Sequence, residues 1–195
     1  MAGNDSGIPL IDLSPWFTGD EAARDALAAE IDRDLSRVGF LVLVGHGVPA
    51  ELVERVRATG SDFFALPSEA KERYRTQVAG RGWLAIGAEA NGYSEGTETP
   101  PDLKESYVVG SEAGSVIAAE HPFAEFFGAN VWPAELPDFE PLVGEYLSKM
   151  RELADALLAL CARALGLPDD YFAAYTRHPS WAYQFNWPTV STASM

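Results

Sequence analysis

Apolar residues change their spacing several times along this chain, and each change marks an element. "IPLIDLSPWF", residues 8–17, reads as a short strand with Ile8, Leu10 and Leu13 apolar, closed at Ser14-Pro15 because proline cannot donate to a ladder. A helix is predicted next. Thr18 and Glu21 have the spacing of a capping box, and Ala23, Leu27, Ile31, Leu35 and Val38 recur every three or four residues until Gly39 supplies a stop. The run "FLVLV", 40–44, is apolar without alternation and predicts a strand covered on both faces. After "GHG" turns the chain, Pro49 opens a second helix with Leu52, Val53 and Val56 inward and Phe63 and Phe64 further on. Pro67-Ser68 then starts a short charged helix, "PSEAKERYR".

From 76 to 140 glycine, proline and short apolar pieces such as "GWLAIGA" and "ESYVVG" predict extended segments and loops. The clearest helix is 141–167, with Val143, Leu147, Met150, Leu153 or Ala154, Leu157, Cys161 and Ala164 on one stripe. Leu158, Leu160 and Leu165 make its second half apolar nearly all round, so that half needs cover on several sides. "DDYFAAYTR" reads as a short helix. Alternating Trp181, Tyr183, Phe185 and Trp187 then predict a half-buried strand that needs a sheet to join.

Length and charge narrow the function classes. The 195 residues suffice for one sizeable core, and 29 acidic against 14 basic side chains give a net charge of -15, which repels nucleic acid and anionic membranes alike. The single cysteine, Cys161, forms no internal disulfide and sits mid-helix on an apolar face, where an inert thiol is expected. Residues 1–7 lack the basic start and apolar run of a signal peptide, and no apolar run approaches the roughly 18 residues of a membrane span. These features predict a cytoplasmic protein.

Candidate chemistry is sparse. There is no G-x-S-x-G, and the glycines of "GRGWLAIG", 80–87, lack the spacing of a dinucleotide fingerprint. The three histidines, His46, His121 and His178, stand in "HGV", "HPF" and "HPS", with no carboxylate two positions on to share a metal. His46, between two glycines at a strand end, is expected to bond a backbone group. His121 and His178 precede prolines and read as loop residues.

Taken in order, the pieces resemble the isopenicillin N synthase-like family of non-haem iron(II), 2-oxoglutarate-dependent oxygenases. "IPLIDLS" looks like that family's opening strand, and "VGFLVLVGHGVP", 38–49, is similar to its Gly-Phe-Phe... Asn-His-Gly-Ile/Val-Pro signature, with Gly45 where asparagine is usual. "FFALPSEAKERY", 63–74, resembles its Leu-Pro-x-Glu-x-Lys segment, "DLKESYVVG" its Asp-x-Lys-Glu stretch, and "NVWPAELPDF" its Asn-x-Trp-Pro segment. The likeness runs from residue 8 to about 188.

The resemblance implies an oxidoreductase of the dioxygenase kind, with iron(II) and 2-oxoglutarate as cofactors and a small molecule as substrate. Its iron ligands would be a His-x-Asp pair and a distant His, with an Arg-x-Ser for 2-oxoglutarate; none of these occurs in the 195 residues. No catalytic residue and no metal ligand is therefore assigned. Asn186 corresponds to the asparagine of the family's Asn-x-Tyr-Pro segment near the cosubstrate, although Trp187-Pro188 here follow it directly. The expected fold is mixed α/β, the N-terminal helical and strand region of a double-stranded β-helix (jelly-roll) oxygenase, truncated before most of the barrel. Residues 1–7 are expected to be a disordered N-terminus, 8–188 the family-like region and 189–195 a tail outside it. Such a chain would bind neither iron(II) nor 2-oxoglutarate alone, and would self-associate through exposed apolar surface. The alternative is a non-catalytic α/β module that binds a partner.

Overall fold

In a computed structural model, residues 7–75, 80–88, 100, 102–112, 124–177 and 179–188 are described. The N-terminus before Gly7, the tail 189–195, His121 and His178 lie outside the described residues. The chain divides into two compact units, one of residues 1–53 and 143–177, the other of residues 54–142 and 178–195.

In the first unit the strand β1 (Leu10–Asp12) pairs in parallel with β2 (Val42–Val44), Ile11 opposite Leu43. Parallel neighbours need a crossover, and here helices α1 (Ser14–Thr18) and α2 (Glu21–Val38) provide it. Side chains of a strand alternate between faces, so Ile11 and Leu13 point inward and are buried, whereas Leu10, read from the sequence as one of the strand's apolar markers, is 51% exposed. Ile11 and Leu13 meet Leu27, Ala28 and Ile31 of α2, and Leu160 of α5 (Phe139–Ala164).

Several expectations shift here. The cap of α2 is Asp20, whose side chain accepts from the Ala23 N–H at 2.9 Å; Thr18 ends α1 and donates its hydroxyl to the Ser14 carbonyl instead. Asp34, not Leu35, fills the inward position in the last turns of α2, with Arg33 and Arg37 at 3.5 and 3.6 Å from its carboxylate. β2 is covered on one face only. Leu41 and Leu43 pack on the core, while Val42 and Val44 are exposed and Phe40 is 70% exposed, because a two-stranded pair packed on helices has one inner face. Gly39 and Gly45 both have positive φ, and a Cβ at Gly45 would strike Asp12 Oδ1 and Ser14 Oγ, which favours glycine in this chain where the resembling family usually has asparagine.

α5 begins two residues before the predicted start and ends three before the predicted end. Its Leu160 is fully buried with Leu153, Leu157 and Ala164 packed beside the same core, but Met150 is exposed and Leu165 is 64% exposed. The segment after it is a chain of turns rather than the expected helix: Tyr171, Ala173 and Tyr175 N–H groups bond carbonyls three residues back. Its two ends are held from α5, since Arg163 grips the Asp169 carboxylate at 2.7 and 3.0 Å and Arg151 donates to the Thr176 carbonyl at 2.7 Å.

The second unit is built on a three-stranded antiparallel sheet in the order β3–β4–β5, formed by Gly82–Leu84, Lys104–Gly110 and Ala182–Pro188. The last strand thus finds its sheet inside this chain: all seven of its residues are in register with β4, from Lys104 opposite Pro188 to Gly110 opposite Ala182. One face lies on aromatic rings. Phe63, from helix α3 (Ala50–Phe64), is fully buried with ring centroids 4.5 Å from Tyr107 and 6.1 Å from Tyr74; Phe139 sits 5.3 Å from Tyr107 and 5.4 Å from Phe185. Gly60 lets Phe185 seat, since a Cβ there would lie 2.5 Å from its ring. Helix α4 (Ser68–Glu72) follows Pro67 as predicted.

Candidate functional site

β4 and β5 sort their side chains by strand period. Glu105, Tyr107 and Val109 share a face with Tyr183, Phe185 and Trp187, and Trp83 of β3 joins them opposite Tyr107. Lys104, Ser106 and Val108 share the other face with Gln184 and Asn186. The motif residues divide between these faces, and most of those on the first are structural.

On the aromatic face, Lys71 of α4 and Glu105 of β4 form a buried ion pair. Lys71 Nζ donates to Glu105 Oε2 at 2.8 Å and to the Phe64 carbonyl at 3.0 Å, and Trp83 Nε1 donates to the same carboxylate oxygen at 2.7 Å. Buried charges persist when paired and hydrogen-bonded, and both are here. Lys71 and Glu105 are the lysine of the Leu-Pro-x-Glu-x-Lys segment and the glutamate of Asp-x-Lys-Glu, so those two motifs meet as one packing device. The third motif closes the strand's end: Asn130 Nδ2 donates to the Gly110 carbonyl at 2.9 Å and its Oδ1 accepts from the Gly110 N–H at 2.8 Å, replacing a strand neighbour. Tyr74 donates its hydroxyl to Glu135 and accepts from the Ala134 N–H; burial and the Glu135 carboxylate hold its pKa above the ordinary value. Burial likewise raises the Tyr107 phenol, which donates to the Val131 carbonyl.

On the opposite face stands Asn186, exposed on β5 directly across from Ser106. Its Oδ1 accepts from Ser106 Oγ at 3.0 Å and from Lys104 Nζ at 3.2 Å. Ser106 is fully buried, and Lys104 also lies 3.8 Å from Asp102. Lys104 and Ser106 both direct donors at the Asn186 oxygen, and the Lys104 charge is met by Asp102, so what the set presents is the Asn186 amide N–H group.

Of the other candidates, His46 bonds a backbone group as expected, its Nδ1 accepting from the Val48 N–H at 3.1 Å. Cys161 is half-buried, and desolvation raises its thiol pKa, which keeps it protonated. Among the described residues no three His, Cys, Asp or Glu side chains come together as a metal site. These residues therefore do not fit the iron centre that the resemblance implies. A cleft of about 350 Å³ in the first unit is lined by Arg151, Asp155, Leu158, Phe172 and Thr176, among others, but Arg151 is engaged by Asp155 and the Thr176 carbonyl. No helix among the described residues is long and apolar enough to cross a membrane.

Sequence reasoning named Asn186 and missed Ser106 and Lys104 as its neighbours, and on the other face it missed Trp83 as a partner of Glu105. The signal was there in part: Glu105 alternates in step with Tyr107 and Val109, which puts a carboxylate on a core-facing position and requires a buried partner.

The family described as non-haem dioxygenase in morphine synthesis N-terminal matches residues 8–135. A validamycin A dioxygenase of Streptomyces hygroscopicus subsp. limoneus is 37% identical over 188 residues, covering 95% of this chain and 51% of that protein. The 2-oxoglutarate-dependent dioxygenase tropC of Talaromyces stipitatus is 30% identical over 92% of this chain and 57% of its own length. Among solved structures, a full-length Neurospora crassa protein in complex with alpha-KG superimposes with a TM-score of 0.69 at 30% identity, covering 88% of this chain and 52% of that one. The chain spans about half the length of the curated relatives it matches. On these matches, with the motifs in the same order, the chain belongs to the non-haem iron, 2-oxoglutarate-dependent oxygenase family.

Proposed function

We propose that this chain supplies the N-terminal half of an iron(II)- and 2-oxoglutarate-dependent oxygenase that oxidises a small molecule in the cytoplasm, and that by itself it holds neither iron(II) nor 2-oxoglutarate tightly. The observation that carries this reading is the polar face of β4–β5. Asn186 presents its amide there beside Lys104, while the described residues bring no three iron donors together. Three protein ligands and open positions are what such an iron needs, so in this reading the ligands belong to the half of the relatives' length that these 195 residues do not span. When bound, iron would supply the oxygen chemistry; this chain's part is to present Asn186 toward the cosubstrate and to hold the sheet by Lys71–Glu105 and the aromatic rings.

Anaerobic titration calorimetry with iron(II) and 2-oxoglutarate tests this. The expected result is no stoichiometric binding at micromolar concentration. A single iron site of micromolar or tighter affinity would overturn the reading and would point to His46 and the carboxylates near it.

A further inference from the structure

The amide of Asn186 is held in one sense only. A lysine ammonium can donate and never accept, so the Asn186 atom 3.2 Å from Lys104 Nζ must be the carbonyl oxygen. Ser106, across the strand pair, donates to that same oxygen from a fully buried position, 1% exposed. With both donors on Oδ1, the Nδ2 hydrogens are turned away from the strand pair on an exposed residue. From this geometry we infer that Ser106 and Lys104 are positioning residues for Asn186, which fix its amide with the oxygen held on the strand pair and the N–H group presented as a hydrogen-bond donor on this face. The inference rests on the proposed role of Asn186 and deepens it.

Two consequences separate positioning from mere packing. First, the acceptor of Asn186 should matter for stability and the donor should not. Asn186→Asp keeps an acceptor toward Lys104 and Ser106, so the melting temperature stays within about 1 °C, whereas Asn186→Leu removes it and lowers the melt by about 4–8 °C, the shift expected from two lost hydrogen bonds in a chain of this size. Second, the amide should be rigid because Ser106 holds it. In the 15N-labelled full chain the Asn186 side-chain amide, identified by its loss in Asn186→Asp, is expected to have an order parameter above about 0.6. Ser106→Ala lowers it below that value while the backbone resonances of β4 and β5 stay in place, and Ser106→Thr restores it. Lys104→Met lowers it by a smaller amount and serves as the test if Ser106→Ala does not fold.

An amide already mobile in the unaltered protein, or one equally ordered in Ser106→Ala and Lys104→Met, would overturn the inference. So would equal losses of stability in Asn186→Asp and Asn186→Leu. Neither measurement uses iron or 2-oxoglutarate, so finding that 2-oxoglutarate binds elsewhere would strike the proposed function and leave the amide result to be judged alone.

Discussion

Arg163 and Lys71 show how differently the two units use charge. Arg163, in the first unit, lies beside solvent, with Glu21 and Asp25 at 2.8 Å from one guanidinium nitrogen, Asp169 gripped by two others, and the Trp16 ring 5.7 Å below. Lys71, in the second, is buried and donates to the Glu105 carboxylate and the Phe64 carbonyl, while the Trp83 N–H donates to the same carboxylate oxygen. The cores differ in the same sense: aliphatic side chains at helical and strand spacing in the first, interlocked aromatic rings in the second. A core of Leu, Ile and Ala makes few directional demands, so apart from Asp34, which Arg33 and Arg37 meet from the surface, its charges can stay outside as an adjustable rim. The ring cluster leaves a polar position inside the sheet, Glu105, and the fold must answer it with one particular lysine. Stability in the second unit should therefore hinge on single contacts to a degree that the first does not.

The sharpest way to break this comparison is Lys71→Met. It strands the Glu105 carboxylate in the core, and a broken buried pair costs about 3–5 kcal/mol, a large share of the ordinary total of about 5–15. Urea unfolding should register that loss, and Lys71→Met with Glu105→Leu should recover most of it. A double variant as unstable as the single one would mean that Trp83 and the backbone, rather than the ion pair, set the cost. Phe63→Ala should cost about 3–5 kcal/mol by opening a cavity among Tyr74, Tyr107 and Phe139. Leu160→Ala in the first unit falls in a range of about 2–5 kcal/mol, and its aliphatic neighbours can close on the gap, so the lower end is expected.

A milder test concerns the first unit's outer face. Phe40, Val42, Val44 and Leu10 are exposed together on the β1–β2 pair, an apolar patch that should bind a hydrophobic dye. Phe40→Glu with Val42→Thr should cut the dye fluorescence severalfold without lowering the melt. Unchanged fluorescence would place the dye elsewhere.

The smallest effect is in acid. Hydrogen bonds from Arg163 lower the Asp169 pKa below its ordinary 3.8, so this carboxylate stabilises the fold above that pH and the contribution is lost as pH falls through its lower folded value. Arg163→Gln should flatten the acid limb of the stability curve below about pH 4, and only slightly, because solvent screens so exposed a group. An unchanged acid limb would mean that Arg163 contributes nothing to the rim.

How much of this was legible follows the same division. The first unit's helices came largely from periodicity, since Leu27 and Ile31 lie where a 3.6-residue repeat puts them, although in α5 the fully buried residue is Leu160 and not Cys161 of the expected stripe. Its errors were errors of facing: Leu10 and Val42 are as apolar as Ile11 and Leu43, and only the pairing of two strands on one helical layer decides which are covered. The turn chain 169–176 was misread because its ends are tied by Arg163 and Arg151, contacts that local propensity does not contain. In the second unit periodicity said little between 76 and 140, yet the motifs named Lys71, Glu105 and Asn130 in advance. What they could not say was that these residues brace the sheet, whereas Ser106, unremarked in the sequence, lies against the candidate residue itself.

Central to the account is the proposal that this chain carries the family's fold with Asn186 toward the cosubstrate, while the iron donors lie outside the described residues, which bring no three such side chains together. Adding manganese(II) with 2-oxoglutarate to the 15N-labelled protein tests that most directly, because a bound paramagnetic ion broadens the resonances around it. Only weak, scattered broadening at surface carboxylates is expected, with the resonances near His46 and Asn186 unchanged at one equivalent of metal. Saturable, one-to-one broadening centred on either residue would contradict it.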